Sequence, residues 1–343
     1  MKRLLPFVPL LLLAAVLLSP AAALSGAKQG LGIWWDRVLP ALLPSCIAIK
    51  LAQDLGLLGM TQGHPRVRMA AIIGFSLLSG APNGARLLQA AKEEGSLTAR
   101  ESERLLPFVN CVSPTFLVSI IASELLKNKA LFQPMGAAFY GCILSALLLQ
   151  GLPSGRTLPP VPQAEASRRS FFQALISAME NGMLDMLRIC GCIVLVCTLL
   201  ALMRPILPNE YAYAILSGWA EVSIGASAIA AVSLPLRLKA SLLIGFSAFG
   251  GLSLALQTEC FSPGLKLAPY LLQKAALGVL VGFVCYVLFP LFPSVSTVFA
   301  SRQLILSRGL SLSALFLSSA LSIAFIGVLS LMSGLGKKGP VSK

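Results

Sequence analysis

MAAIIGFSLLSGAPNGARLLQAA, residues 69–91, holds an apolar run, a stop and a restart within one membrane-sized stretch. The opening MAAIIGFSLL is apolar. Ser79-Gly80-Ala81-Pro82-Asn83-Gly84-Ala85 interrupts it, and Arg86-Leu87-Leu88 resumes a helical pattern. Gly80 suits a helix C-cap and Pro82 the first turn of a new helix. The stretch therefore reads as two half-helices around an unwound joint, either a re-entrant hairpin or one broken span. Irregular backbone at membrane depth is tolerated only where protein buries it or where it lines a wet cavity. The joint thus marks a candidate site as well as a fold.

The same pattern recurs downstream. Residues 105–126 form an apolar run interrupted at Asn110-Cys111-Val112-Ser113-Pro114-Thr115. Ser113 is placed to cap, and Pro114 to occupy the first helical position. Between the two breaks, residues 92–104 form a charged loop.

The rest of the chain fits a lipid environment. Of 343 residues, 56% are apolar and only 12% charged, and mean hydropathy is +0.83. Soluble domains run near a quarter charged. Apolar runs cover 4–24, 38–60, 130–152, 189–203, 211–234, 238–256, 267–292 and 310–335. Residues 4–24 read as a retained first helix rather than a signal peptide ending near Ala21-Ala22-Ala23. Residues 26–37, with Trp34 and Trp35 beside Asp36 and Arg37, read as an interfacial helix. Pro40 and Pro44 suggest a bent or partly re-entrant span after it. About nine membrane segments are expected, some discontinuous. The fold class is an all-α polytopic membrane protein of two repeated halves, each with broken or re-entrant helices.

Net charge is +14, from 27 basic and 13 acidic side chains. The basic residues sit in short breaks between apolar runs and in the 337–343 tail, as expected for flanks facing anionic headgroups. No basic face or nucleic-acid motif is present, so the bilayer is the expected partner and nucleic acid is not. The eight cysteines form no CxxC and read as small buried side chains. His64 is the single histidine. A histidine-based metal centre and most nucleophile–base schemes are therefore disfavoured. Phosphate-binding GxxxxGK[ST], HExxH and GxSxG motifs are absent. Neither an enzyme nor a cofactor is expected.

RVRMAAIIGFS at 66–76 and RLKASLLIGFS at 237–247 share a basic pair at a fixed distance from Ile-Gly-Phe-Ser. Each runs into a glycine break, Ser79-Gly80 or Gly250-Gly251. GIWWDR at 32–37 and GMLDMLR at 182–188 correspond loosely. A duplication follows: 1–152 as a first repeat, 153–170 as a Pro- and Arg-containing linker, 171–343 as a second repeat. Paired interrupted segments at matching places in two halves point to a transporter's binding site.

The candidate site follows from the breaks. Helix starts at Pro82–Ala85 and Ser113–Thr115 offer free N–H groups and positive dipole ends, which favour an anionic group. Arg86, one turn inside, is placed to grip a carboxylate. Ser79, Gly80, Pro82, Asn83, Gly84, Asn110, Ser113, Pro114 and Thr115 complete the first-half set, with local capping as the competing role. Ser247, Gly250, Gly251, Ser253 and Gln257 form the matching second-half set. Glu221 stands alone in an apolar run, and acids at membrane depth are usually functional. Asp185 and Arg188 are spaced to pair on one helix face.

These motifs resemble the sporulation integral membrane protein YlbJ (SpoVV) family, grouped with the nucleoside-recognition, or gate, membrane proteins. The likeness rests on GFSLLSGAPNGARLLQAAKEEGSLTARESERLLPFVNCVSPTF at 74–116, on GWAEVSIG at 218–225 and on FGGLSLALQ at 249–257. Trp35 and Pro40 match an early W-x-x-x-x-P element. Ala81 stands where the family more often carries an aromatic. The resemblance implies a mother-cell membrane around a developing spore and export of dipicolinate, a planar dianion. The expected function is secondary transport of a small anionic solute, with a homo-oligomer possible. Two alternatives stand beside it. One is a nucleoside or nucleobase permease, for which Phe75, Phe108, Phe116, Phe246 and Phe249 would have to supply stacking. The other is a non-transporting membrane scaffold for spore-envelope formation.

Overall fold

The computed structural model describes residues 7–56, 64–151, 153 and 170–292. Most of the expected linker, and the run at 310–335 with its basic tail, lie outside the described residues. Within them the chain is helical, and no strand occurs.

Helix α1 (Val8–Leu18) meets α2 (Pro20–Ile33) at Ser19, and the axis turns by 106° there. Residues 4–24 are therefore not one span: Pro20, at a helix start, fixes the new direction. α2 runs through a π-helical turn at Trp34–Val38 into α3 (Leu39–Asp54). The expected separate interfacial helix at 26–37 and the described part of the bent or partly re-entrant span expected at 38–60 thus run on as one long helix to Asp54. Trp34 explains why. It is buried, and its Nε1 donates to the Met186 carbonyl at 2.9 Å, so this ring anchors protein to protein and not protein to headgroup.

The first broken region consists of α4 (Pro65–Ser79), α5 (Asn83–Glu93), α6 (Ala99–Val109) and a π-helical segment, Phe116–Leu125. Thr98 and Glu101 form a capping box that starts α6 after the charged loop. α7 (Phe132–Gln150) and α8 (Phe171–Met203) follow. The apparent boundary at residue 188 is absent: α8 is a single helix of 33 residues. Its apolar side chains Phe172, Leu184 and Leu187 are exposed, as suits a lipid-facing surface.

The second broken region holds α9 (Glu210–Ala220) and α10 (Val222–Ala231), then α11 (Leu236–Phe249) and α12 (Gly251–Phe261). The expected single segment at 211–234 is a hairpin turning at Glu221. A Cβ on Gly225 would lie 2.3 Å from the Gly218 Cα, so the two arms touch backbone to backbone. Each arm has half the length needed to cross a hydrocarbon core of about 30 Å. α13 (Leu267–Leu288) closes the described chain.

Packing follows small residues. Gly26 and Gly30 of α2 meet the backbone of α8, and Gly278 and Gly282 of α13 meet α11 at Gly245. α13 also packs on α7, and α12 on α8. Among the described residues, four helices are long and apolar enough to cross a membrane, or five counting the bent α1–α3 pair. The protein is an all-α, multi-pass membrane protein.

Candidate functional site

Four interruptions among the described residues converge. Ala81, Ser113, Glu221 and Gly250 all line one cavity of about 70 Å³, together with Arg37, Phe116, Ser223 and Gln257. It lies between the segments around both IGFS stretches, with Ile189 and Ile193 of α8 as its wall.

The joints hold one another in place. Gly80, at φ 76°, ends α4, and a Cβ there would lie 2.7 Å from the Ser113 backbone nitrogen. Only a glycine satisfies both the left-handed conformation and that approach. Ala81 N–H donates to the Cys111 carbonyl at 2.6 Å. Ser113 Oγ accepts from Phe116 N–H, so the Ser-Pro pair caps the resumed helix as its residue types dictate. Across the cavity, Glu221 Oε2 accepts from Ile224 N–H at 2.7 Å and caps α10. Gly251, also at positive φ, lies against the Ala220 carbonyl. The helices that restart after these joints direct N-termini toward the same space, and such ends favour negative charge.

Asn110 ties the first joint to the second half. Its Oδ1 accepts from Ala85 N–H at 3.3 Å, and its Nδ2 donates to Thr258 Oγ1 at 2.8 Å. Lys274 of α13 is fully buried, and its ammonium donates to the Asn110 carbonyl at 3.3 Å and reaches Cys111 Sγ at 3.5 Å.

The expected residues fall into separate groups. Ser113, Glu221, Gly250 and Gln257 line the cavity. Gln257 Nε2 donates to Ser253 Oγ behind it. Gly80, Pro82, Gly84, Asn110 and Gly251 shape the joints; Gly84 lies against the Val109 carbonyl. Ser247 is buried and donates to its own helix at the Leu243 carbonyl. Ser79 lines another cavity, between α3, α4 and α5, and Thr115 is exposed beside Pro114. Arg86 is absent from the cavity lining. It forms an ion pair with Asp185, in a cluster one helical turn away. Asp185 and Arg188 pair at 3.3 Å, as their spacing implies.

The sequence reading passed over Arg37 and Lys274. Arg37 lines the cavity, donates to Ser227 Oγ at 3.0 Å and pairs with Glu124 at 2.6 Å. Its place beside two tryptophans gave it the look of a headgroup anchor. Lys274 carried a usable signal, a lone charge inside an apolar run. A larger groove of about 550 Å³ runs between α9, α11 and α13, lined almost wholly by apolar side chains and by none of the four cavity-lining joint residues. It suits acyl chains and not a polar solute.

No family model and no solved structure matches the chain. One curated protein does: the sporulation integral membrane protein YlbJ of Bacillus subtilis (strain 168) is 26% identical over 291 residues, covering 70% of this chain and 71% of the relative. That likeness extends well beyond the joints, and both are integral membrane proteins. Over most of its length the chain is similar to that sporulation integral membrane protein.

Proposed function

We propose that the protein is a secondary transporter of a small anionic metabolite, with dipicolinate, exported from the mother cell during sporulation, as the candidate cargo. It makes and breaks no covalent bond. The observation that carries this reading is the meeting of interrupted helices from both parts of the chain around one cavity into which Arg37, Glu221 and Gln257 bring polar groups. Broken helices with N-termini toward a midplane site are the usual construction for holding an anion inside a membrane. The relative's name places that protein in sporulation, which supports the cargo suggestion.

At about 70 Å³ the cavity holds a few waters and no aromatic dicarboxylate. On this reading cargo enters when the joints move apart. Ser113 and Gln257 bind carboxylate oxygens at the positive ends of the restarted helices. Arg37 supplies positive charge. Glu221, buried at the hairpin tip, is the group that carries a coupling proton. A nucleoside permease finds less support, because Phe116 is the one aromatic side chain lining the cavity.

The test is flux of labelled dipicolinate into liposomes containing the purified protein, with uridine as comparison. Uptake competed by unlabelled dipicolinate and not by uridine is expected, and Glu221→Gln should abolish its dependence on a pH gradient. Folded protein that moves neither solute would leave the scaffold reading.

A further inference from the structure

One helical turn from the cavity lies a cluster with more cations than acids. Asp185 of α8 is the carboxylate at its centre. Arg86 of α5 pairs with it, Lys50 of α3 lies 3.4 Å away, and Arg188 lies 3.3 Å away. Asp185 is almost wholly buried, at 3% exposure. Asp54, one turn beyond Lys50 on α3, is the next acid whose field reaches Lys50. Counted with or without it, the cations are in excess. The Arg86 guanidinium also lies 4.9 Å above the Phe261 ring of α12.

Two buried donors beside this cluster have no hydrogen-bond acceptor. They are Arg86 Nη1 and Asn83 Nδ2. Asn83 is fully buried, and only its Oδ1 is engaged, by Cys46 Sγ at 3.3 Å. Cys46 lies within the electrostatic reach of Arg86, Lys50 and Asp185, which places the free amide near the charge cluster. Buried donors left unpaired cost free energy that an acceptor would recover. A surplus of cations and two empty N–H groups is the arrangement that takes up an acceptor-only, negatively charged group.

The cluster joins the central cavity along two helices. Leu42 lines the cavity, and Cys46 is one turn further along α3. Ile189 lines it, and Asp185 is one turn back along α8. The separation is about 5 Å per helical turn, a distance that one small dicarboxylate can bridge.

We propose that Lys50, Arg86 and Asn83 form a second anion station on the transport path, selective for dianions, with Asp185 as a resident carboxylate that a substrate carboxylate replaces. This rests on the transporter reading above and adds a substrate class to it. A dicarboxylate presents one carboxylate to the cavity joints and the other to Arg86, Asn83 and Lys50. Displaced Asp185 keeps Arg188 as its partner on the same helix. A monocarboxylate fills one station only.

The test is equilibrium binding to the full-length protein in nanodiscs, with dipicolinate as the dianion and picolinate as the monoanion. Wild type should prefer dipicolinate. Lys50→Gln, and independently the half-exposed Arg188→Gln, should weaken dipicolinate by about tenfold while leaving picolinate within twofold. Thermal melting checks that both variants fold, and Arg188→Gln carries the test if Lys50→Gln does not. Losses equal for both ligands, or no loss in Arg188→Gln, would overturn the second station and leave transport standing. Wild type that binds neither anion would overturn the transporter reading itself.

Discussion

Asn110 carries more of the first joint than any neighbouring side chain. Its side chain satisfies the Ala85 N–H that the start of α5 leaves open and donates to Thr258 of α12, and its backbone carbonyl accepts from Lys274. Asn110→Ala removes the side-chain partners of the Ala85 N–H and Thr258 Oγ1 where water cannot repair the loss, and leaves the backbone carbonyl that Lys274 uses. It should destabilise the protein by about 2–3 kcal/mol in denaturant unfolding of detergent-solubilised protein. Thr258→Val should combine with it non-additively, by about 0.5–1 kcal/mol; strict additivity would argue against the bond. The local half of this was legible: Asn and Ser before Pro announce a cap. The distant half was not, since Asn110 and Lys274 lie 164 positions apart. The spacing of Asp185 and Arg188 was readable for the same reason that Lys50 and Arg86 were not. Neighbours on one helix are fixed by its period, whereas partners on α3 and α5 are fixed by tertiary packing.

Helices too short to cross a bilayer must be held by close backbone contacts, and the α9–α10 hairpin depends on Gly218 against Gly225. Gly225→Ala puts a methyl into fixed backbone and should cost about 3 kcal/mol. Gly74, inside α4, has open space where a Cβ would go. Gly74→Ala should stabilise by roughly 0.5–1 kcal/mol. Thermal melting of the two variants in parallel checks both signs, and equal effects would mean that the hairpin arms do not touch. The joints at Gly80, Ser113 and Gly250 were legible because glycine, serine and proline mark stops and starts. The turn at Glu221 was not, because no glycine or proline stands at the joint. Its stop is made by a carboxylate capping α10, and in an apolar run such a residue reads as a buried acid and nothing more.

Across the whole molecule, residues from both expected repeats line the cavity, and both IGFS stretches run into a glycine of positive φ. Sequence reading placed the apolar runs, and lost most at the start of the chain. There π-helical continuity through Trp34–Val38 joined what composition had divided. A cavity too small for the cargo makes a prediction at this scale. Ser113→Cys, in protein whose accessible Cys190, Cys192 and Cys260 are replaced by serine, should resist charged thiol reagents without cargo and react from one face during transport. Equal labelling from both faces at all times would describe a channel instead. The three tryptophans occupy three different surroundings. Trp34 is sealed among side chains, Trp35 is 64% exposed, and Trp219 packs 4.6 Å from Phe249 beside the Gly250 joint. Brominated acyl chains should therefore quench Trp35 and Trp219 and spare Trp34. Any hinge movement at Gly250 must alter the light that Trp219 emits, so the protein carries its own optical gauge of motion.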